Sequence, residues 1–193
     1  MDKNLNEKSK AKVGRVDNNI IYTGPIDTEG SHEFQKKMLE YISECGKKTK
    51  DDIPCDPLNI HITSGGGKVN DGIAMMNTIN DANKTIKTKC ISKGFVGSAA
   101  TYAAFECNER CAGKNTMFLL HPPSKSGVSG QTDDIQISAE NLQKTHNNIL
   151  NIYENQSTQK TQDNFSTIES IFKTNKYSSA IDMQKIGLID KIE

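Results

Sequence analysis

The stretch KGFVGSAATYAAF at residues 93–105, followed by FLLHPP at 118–123, decides how this chain is read. Two glycines, Gly94 and Gly97, precede a lone Ser98, and a run of small residues follows it. The pattern predicts a strand, a tight turn and a helix opening at Ser98. Taken alone, a hydroxyl residue there is an ordinary helix N-cap. It is not the G-x-S-x-G elbow, because Val96 and Ala100 stand at the glycine positions. His121, at the end of an apolar run, is by itself more often a structural residue than a catalytic one. Both gain weight from a feature upstream.

That feature is TSGGGKVN at 63–70, three glycines between an alternating strand (LNIHITS, 58–64) and a helix (NDGIAMMNTINDA, 70–82). It is not a Walker A loop: Ile62 takes the place of the first glycine, and Val69 follows the lysine where Ser or Thr belongs. A dinucleotide fingerprint fails at Asn70, where the third glycine is missing. Bare glycine backbone can approach a ligand closely and present its N–H groups, whereas a plain turn needs only one glycine. The glycine turn, Ser98 and His121 each fall at the C-terminal end of a predicted parallel strand. Together they form a candidate site.

Working outward, NIIYTG (19–24) predicts a strand, and SHEFQKKMLEYISECG (31–46) a helix with Phe34, Met38, Leu39 and Ile42 at helical spacing, stopped by Gly46. A charged loop covers 47–57, and Ile73, Met76 and Ile79 form the apolar face of the 70–82 helix. Further elements follow at 85–92 (strand), 98–106 (helix) and 115–121 (strand). This alternation predicts an α/β fold with parallel, largely buried strands. From Gly127 the chain is glycine-rich and extended, then becomes a long polar helix carrying Ile135, Leu142, Ile149, Leu150 and Ile152. So sparse an apolar stripe is expected to protrude or to meet a partner. At the C-terminus, Ser179 and Asp182 fit a capping box, Gly187 a helix C-cap and Leu188-Ile189 a last short strand. Residues 1–17 read as a polar, flexible tail, and 18–193 as one domain.

Composition excludes several classes. The chain has 24 basic and 24 acidic residues, so no net field recruits nucleic acid or an anionic membrane. No apolar run has the length of a membrane span, and the N-terminus lacks the apolar region of a signal peptide. An intracellular, cytoplasmic protein is expected. Five cysteines without C-x-x-C spacing predict a reduced core, with Cys107 and Cys111 on one face of a helix and no metal or cofactor site.

Five segments in order, NIHITSGGGKVNDGIAMMNTI, GFVGSAATYAAF, FLLHPP, GQTDDIQISAENL and YSSAIDMQKIGLID, resemble the ClpP-type serine peptidases, above all divergent ClpP-like members. The resemblance spans about residues 18–193. It implies a ClpP/crotonase-like spiral of βαβ units with a protruding handle helix in a region at about 124–160. It implies a serine endopeptidase that hydrolyses unfolded polypeptides through an acyl-enzyme inside an oligomeric chamber. Ser98 matches the nucleophile, His121 the general base, and the N–H groups of Gly67 and Ala99 the oxyanion hole. A substrate strand would lie between Gly66, Lys68, Val69 and Asn70 on one side and Ser124, Lys125 and Ser126 on the other. The family needs no cofactor; it forms seven-membered rings stacked in pairs, homomeric or heteromeric, and partners AAA+ unfoldases.

The sequence departs from the family pattern at three places. Asn175 stands where the family carries the third catalytic residue, Asp, and Asp163 and Glu169 are the acids that could replace it if the intervening chain bends inward. Gly65 replaces the proline of the glycine turn. Asn59 and His61 replace the aromatic side chains of the unfoldase-docking strand, so that surface reads as degraded and His61 as a solvated strand residue. The alternative to an active peptidase is therefore a catalytically weakened ring subunit, structural or regulatory. A crotonase-like acyl-CoA enzyme would share the fold, but would require neither the Ser–His pair nor the handle.

Overall fold

The computed structural model describes residues 10–50 and 54–193. Its sheet comprises β1 (Lys12–Val16), β2 (Asn19–Thr23), β3 (Leu58–Ser64), β4 (Thr88–Gly97), β5 (Glu109–Ala112), β6 (Met117–Leu119), β7 (Tyr177–Ser179) and β8 (Lys191–Ile192). The main path runs β1-β2-β3-β4-β5-β8, and β6 branches from β4 and carries β7. β1–β2 and β6–β7 are antiparallel; the other pairs are parallel.

Side chains alternate across a strand, and β3 follows that rule: Leu58, Ile60 and Ile62 are buried, while Asn59, His61 and Thr63 are not. β3 is therefore buried mainly on one face, whereas β5, with Arg110, Cys111 and Ala112 buried in succession, is covered on both. The buried face packs against three helices, α1 (Thr28–Lys50), α2 (Val69–Ala82) and α3 (Ala99–Ala104). The stripe that α1 buries is Phe34, Met38, Tyr41 and Cys45; Leu39 points away and is 61% exposed. On α2 the buried set is Gly72, Met75, Ile79 and Ala82, one position off the face expected from Ile73 and Met76. Gly72 explains the offset. A Cβ there would lie 2.5 Å from the Ala99 carbonyl oxygen, so α2 can approach α3 only through a bare backbone.

Several expectations are corrected. Residues 12–16 are not tail but β1, paired along its length with β2; residues 1–9 lie outside the described chain. Gly46 does not stop α1, which continues to Lys50. Cys107 and Cys111 do not share a helix: Cys111 is a buried free thiol on β5, while disulfides join Cys45 to Cys55 and Cys90 to Cys107, with Cα atoms 5.4 and 5.5 Å apart. Spacing along the chain carries no trace of these pairs, because the fold sets their approach. The last strand is 191–192, with Leu188 and Ile189 buried before it.

The C-terminal half adds α4 (Thr132–Gln156), α5 (Gln162–Thr174) and α6 (Ala180–Lys185). Nearly all of α4 before Ile149 is exposed, as expected for a protruding element. The sequence reading did not separate α5 or β7. Their signals are Thr161, whose hydroxyl caps α5 by accepting from the Asn164 N–H, and the stripe Asn164, Ile168, Phe172. The Ser179–Asp182 capping box of α6 forms in both directions.

One ion pair ties the chain's end to the sheet. The Arg110 guanidinium, 5% exposed, donates to both Asp190 carboxylate oxygens and to the Gln156 carbonyl at the end of α4. Burial pushes the Asp190 carboxyl up, but the Arg110 hydrogen bonds and charge outweigh it and hold the group below its ordinary range. Its contribution is thus complete above the ordinary carboxylate pKa of about 4 and fades as pH falls through the lower folded value. Asp190→Asn should cost about 2 kcal/mol near neutrality, and chemical denaturation should show this gap closing below about pH 4. By contrast, Gly46→Ala, in open space within α1, should raise stability by about 0.5–1 kcal/mol in urea melts.

Candidate functional site

The site forms where β4 exchanges one partner for another. Residues 89–92 of β4 pair with β5, and residues 95–97 pair with β6, with Gly94 at φ 69° between them. Ser98 comes directly after this second pairing. Its N–H donates to the Leu119 carbonyl at 2.7 Å, and its backbone sits at φ 53°, ψ −133°. A positive φ at a residue bearing a Cβ costs on the order of 1–3 kcal/mol and persists only where neighbours impose it. They do so here: the Ser98 carbonyl accepts from the Thr101 N–H at 3.0 Å and from the Thr101 hydroxyl at 2.6 Å. Ser98 occupies the N-cap position of α3, yet its side chain makes no capping bond. The hydroxyl is left free of any hydrogen bond among the described residues.

The triple-glycine turn packs directly on this serine. A Cβ on Gly66, at φ 93°, would lie 2.5 Å from the Ser98 Cβ and 3.0 Å from the Ala99 nitrogen. On the other side, Ile26 clasps the turn: its N–H donates to the Gly66 carbonyl and its carbonyl accepts from the Lys68 N–H, both at 2.9 Å. A Cβ on Gly67 would lie 2.1 Å from that Ile26 oxygen, which leaves no room for any side chain. Gly65 does not leave the turn loose, because the Ser64 hydroxyl accepts from the Gly66 N–H at 3.1 Å. Neither the Gly67 N–H nor the Ala99 N–H has an acceptor among the described residues.

His121 lies two residues beyond Leu119, half-buried and without a hydrogen-bond partner among the described residues. Because Leu119 is bonded to Ser98, the imidazole backbone starts within about 7 Å of the serine's strand end. β6 and β7 pair as Met117↔Ser179, Phe118↔Ser178 and Leu119↔Tyr177, and the pairing ends there, two residues short of His121 on one strand and of Asn175 on the other. Asn175 is the left-handed C-cap of α5 (φ 53°, ψ 37°), a conformation asparagine tolerates well. Asp163 and Glu169 do not substitute for it. Asp163 lies in the first turn of α5, about 18 Å along the helix from Asn175, and Glu169 is bonded to Lys173 at 2.6 Å.

The proposed substrate edges are unequal. Ser124, Lys125 and Ser126 are exposed and extended, and the backbone of residues 121–130 makes no hydrogen bond to the rest of the described chain. On the opposite side the extended backbone stops at Lys68, since Val69 and Asn70 already open α2. They are therefore corrected from strand edge to first helical turn. The Lys68 ammonium is anchored to the Thr28 hydroxyl at 2.8 Å.

The outer sheet face is polar and mutually satisfied. Asn59 and the His61 Nε2–H both donate to the Asn19 side-chain oxygen, at 3.2 and 3.1 Å, so His61 is not merely solvated. Burial, and then the charges of Lys93 and Lys89, lower the His61 pKa. Beside them Lys89 bridges Glu193 at 2.6 Å and Glu109 at 3.4 Å.

The Clp protease family model matches residues 6–193, almost the whole chain. Among solved structures, an Asn-to-Asp mutant of ClpP1 from Listeria monocytogenes superposes with a TM-score of 0.73 at 20% identity, covering 91% of each chain. That likeness establishes a ClpP, and hence crotonase-like, fold. No helix of the described residues is long and apolar enough to cross a membrane.

Gly66→Ala should lower stability by about 2–4 kcal/mol, since it adds both a steric clash and an unfavourable φ. Gly127→Ala, also at positive φ but in open space, should cost only about 1 kcal/mol. Urea unfolding of the two variants checks the difference.

Proposed function

Because the chain belongs to the Clp protease family, we propose that it is a serine endopeptidase acting on extended segments of unfolded polypeptide. One observation carries the reading: Ser98 is held in a strained backbone conformation, and among the described residues its hydroxyl is uncommitted and the two backbone N–H groups of Gly67 and Ala99 have no acceptor. A helix cap would spend the hydroxyl.

In the proposed mechanism, the substrate adds as a strand along Ser124–Ser126, so recognition is mainly through backbone; on the glycine side Ile26 already takes the Gly66 carbonyl and the Lys68 N–H, which leaves Gly67 to face the substrate. His121 removes the Ser98 proton as the oxygen attacks the scissile carbonyl. The Gly67 and Ala99 N–H groups receive the oxyanion. His121 then protonates the departing amine, and water attacks the acyl-enzyme along the reverse path. Asn175, which lies as far beyond the paired end of β7 as His121 lies beyond that of β6, is the residue proposed to accept from the imidazole through its amide oxygen and so orient the ring. It supplies no negative charge to the imidazolium. In a chymotrypsin-type triad the same neutral replacement slows turnover about ten-thousand-fold.

That deficit supports a second reading, a weakened ring subunit that relies on an active partner chain. Fluorophosphonate labelling separates the two. Slow labelling that vanishes in Ser98→Ala and rises tenfold or more in Asn175→Asp supports the peptidase. Labelling indifferent to Ser98 removes it, and Ser98-specific labelling without turnover of any peptide favours the weakened subunit. Light scattering should give a ring-sized assembly, and a strict monomer would remove the chamber from the proposal. With Asn59 and His61 bonded to Asn19 and Lys89 ion-paired, docking through an apolar unfoldase loop is not expected.

A further inference from the structure

Ser98 and Ala99 share one peptide plane. In a trans peptide the carbonyl of the first residue and the N–H of the second point in opposite directions on a rigid unit. Whatever fixes the Ser98 carbonyl therefore aims the Ala99 N–H. The Thr101 hydroxyl donates to that carbonyl at 2.6 Å, a bond threonines often make within a helix and which alone means little.

The second observation lies beneath it. Tyr153, on α4 and wholly buried, places its hydroxyl 2.8 Å from the Thr101 hydroxyl. Thr101 has a single proton, already given to the Ser98 carbonyl, so Tyr153 is the donor between the two hydroxyls. Burial pushes the Tyr153 phenol well above its ordinary pKa, so it stays protonated and able to donate. Its ring is wedged among Tyr102, Phe105 and Phe172, at centroid distances of 5.8, 6.3 and 5.8 Å. The result is a directed chain, Tyr153 to Thr101 to the Ser98 carbonyl, in which each bond polarises the next.

We propose that Thr101 and Tyr153 are positioning residues that hold the 98–99 peptide so that the Ala99 N–H faces the oxyanion, an inference that rests on the peptidase reading above. Without the Thr101 hydroxyl, the Ser98 carbonyl keeps only the Thr101 N–H, and the strained φ is free to relax. Loss of the Tyr153 hydroxyl removes the group that fixes the Thr101 side chain in its donating position.

The test uses full-length Thr101→Val, which keeps the shape, Thr101→Ser, which keeps the hydroxyl, and Tyr153→Phe. With a small peptide ester, Thr101→Val should lower kcat tenfold or more with KM nearly unchanged, the signature of a donor lost only in the transition state. Thr101→Ser should restore most of it. The double variant Thr101→Val/Tyr153→Phe should be no slower than Thr101→Val. A crystal structure of Thr101→Val should show the 98–99 peptide rotated. If that variant does not fold, Tyr153→Phe carries the same two readouts with a smaller loss. A kcat within twofold of wild type, a loss confined to KM, or an unmoved 98–99 peptide overturns the proposal. Absence of Ser98-dependent labelling in the wild type would instead sink the peptidase reading, and the peptide's orientation in the variant would still decide this one.

Discussion

The exchange of partners along β4 is the constraint on which the rest of the molecule depends. A strand ten residues long pairs with β5 through Ser92 and with β6 from Phe95 onward. The two neighbours must diverge around the intervening residues, at the C-terminal ends of the strands, the edge at which α/β sheets commonly bind ligands. The Ser98 N–H makes the last ladder bond of this pairing, to Leu119, and the chain then leaves the strand and coils into α3. Ser98 is thereby held at this sheet edge in a conformation it would not adopt unaided.

Bare backbone makes the close approach possible. Gly66 touches Ser98, Gly67 touches Ile26, and Gly72 touches Ala99, each at a separation where a methyl group would collide. These three glycines give up side-chain contacts, and they raise the entropy cost of folding. What they permit is a turn held on both sides, with two N–H groups turned away from the protein's own acceptors. The strain at Ser98 is offset by three hydrogen bonds to its peptide groups, each worth about 1 kcal/mol net.

Asn175 illustrates how one position can serve two demands. As the C-cap of α5 it takes a left-handed conformation, which asparagine does readily, and it lies two residues before the paired end of β7. The local backbone is therefore satisfied by Asn, while under the proposed mechanism the imidazolium lacks charge compensation there. The outer sheet face departs from the family in the same direction. Asn59 and His61, which the resemblance would make aromatic, bond to the Asn19 side chain, and Lys89 beside them is ion-paired, so these groups satisfy one another rather than await an apolar partner.

Local patterns made much of this legible. The alternation in LNIHITS marks β3 over its full length, SAIDMQ carries its own capping box, and the three glycines between strand and helix mark the turn. These features depend on neighbours within a few residues, so periodicity and cap chemistry suffice to read them. The short strands β5 and β7 left no such trace, because pieces of four and three residues gain their pairing only from an existing sheet. The sequence alone therefore determined which groups are available: a hydroxyl, an imidazole, an amide and a glycine turn, in order along an α/β chain. Tertiary structure decided how they are aimed. The partner exchange of β4, the clasp of Ile26, the joining of Cys90 to Cys107 and the reach of Tyr153 to Thr101 all join residues distant in sequence, and only the closed fold brings such groups within bonding distance.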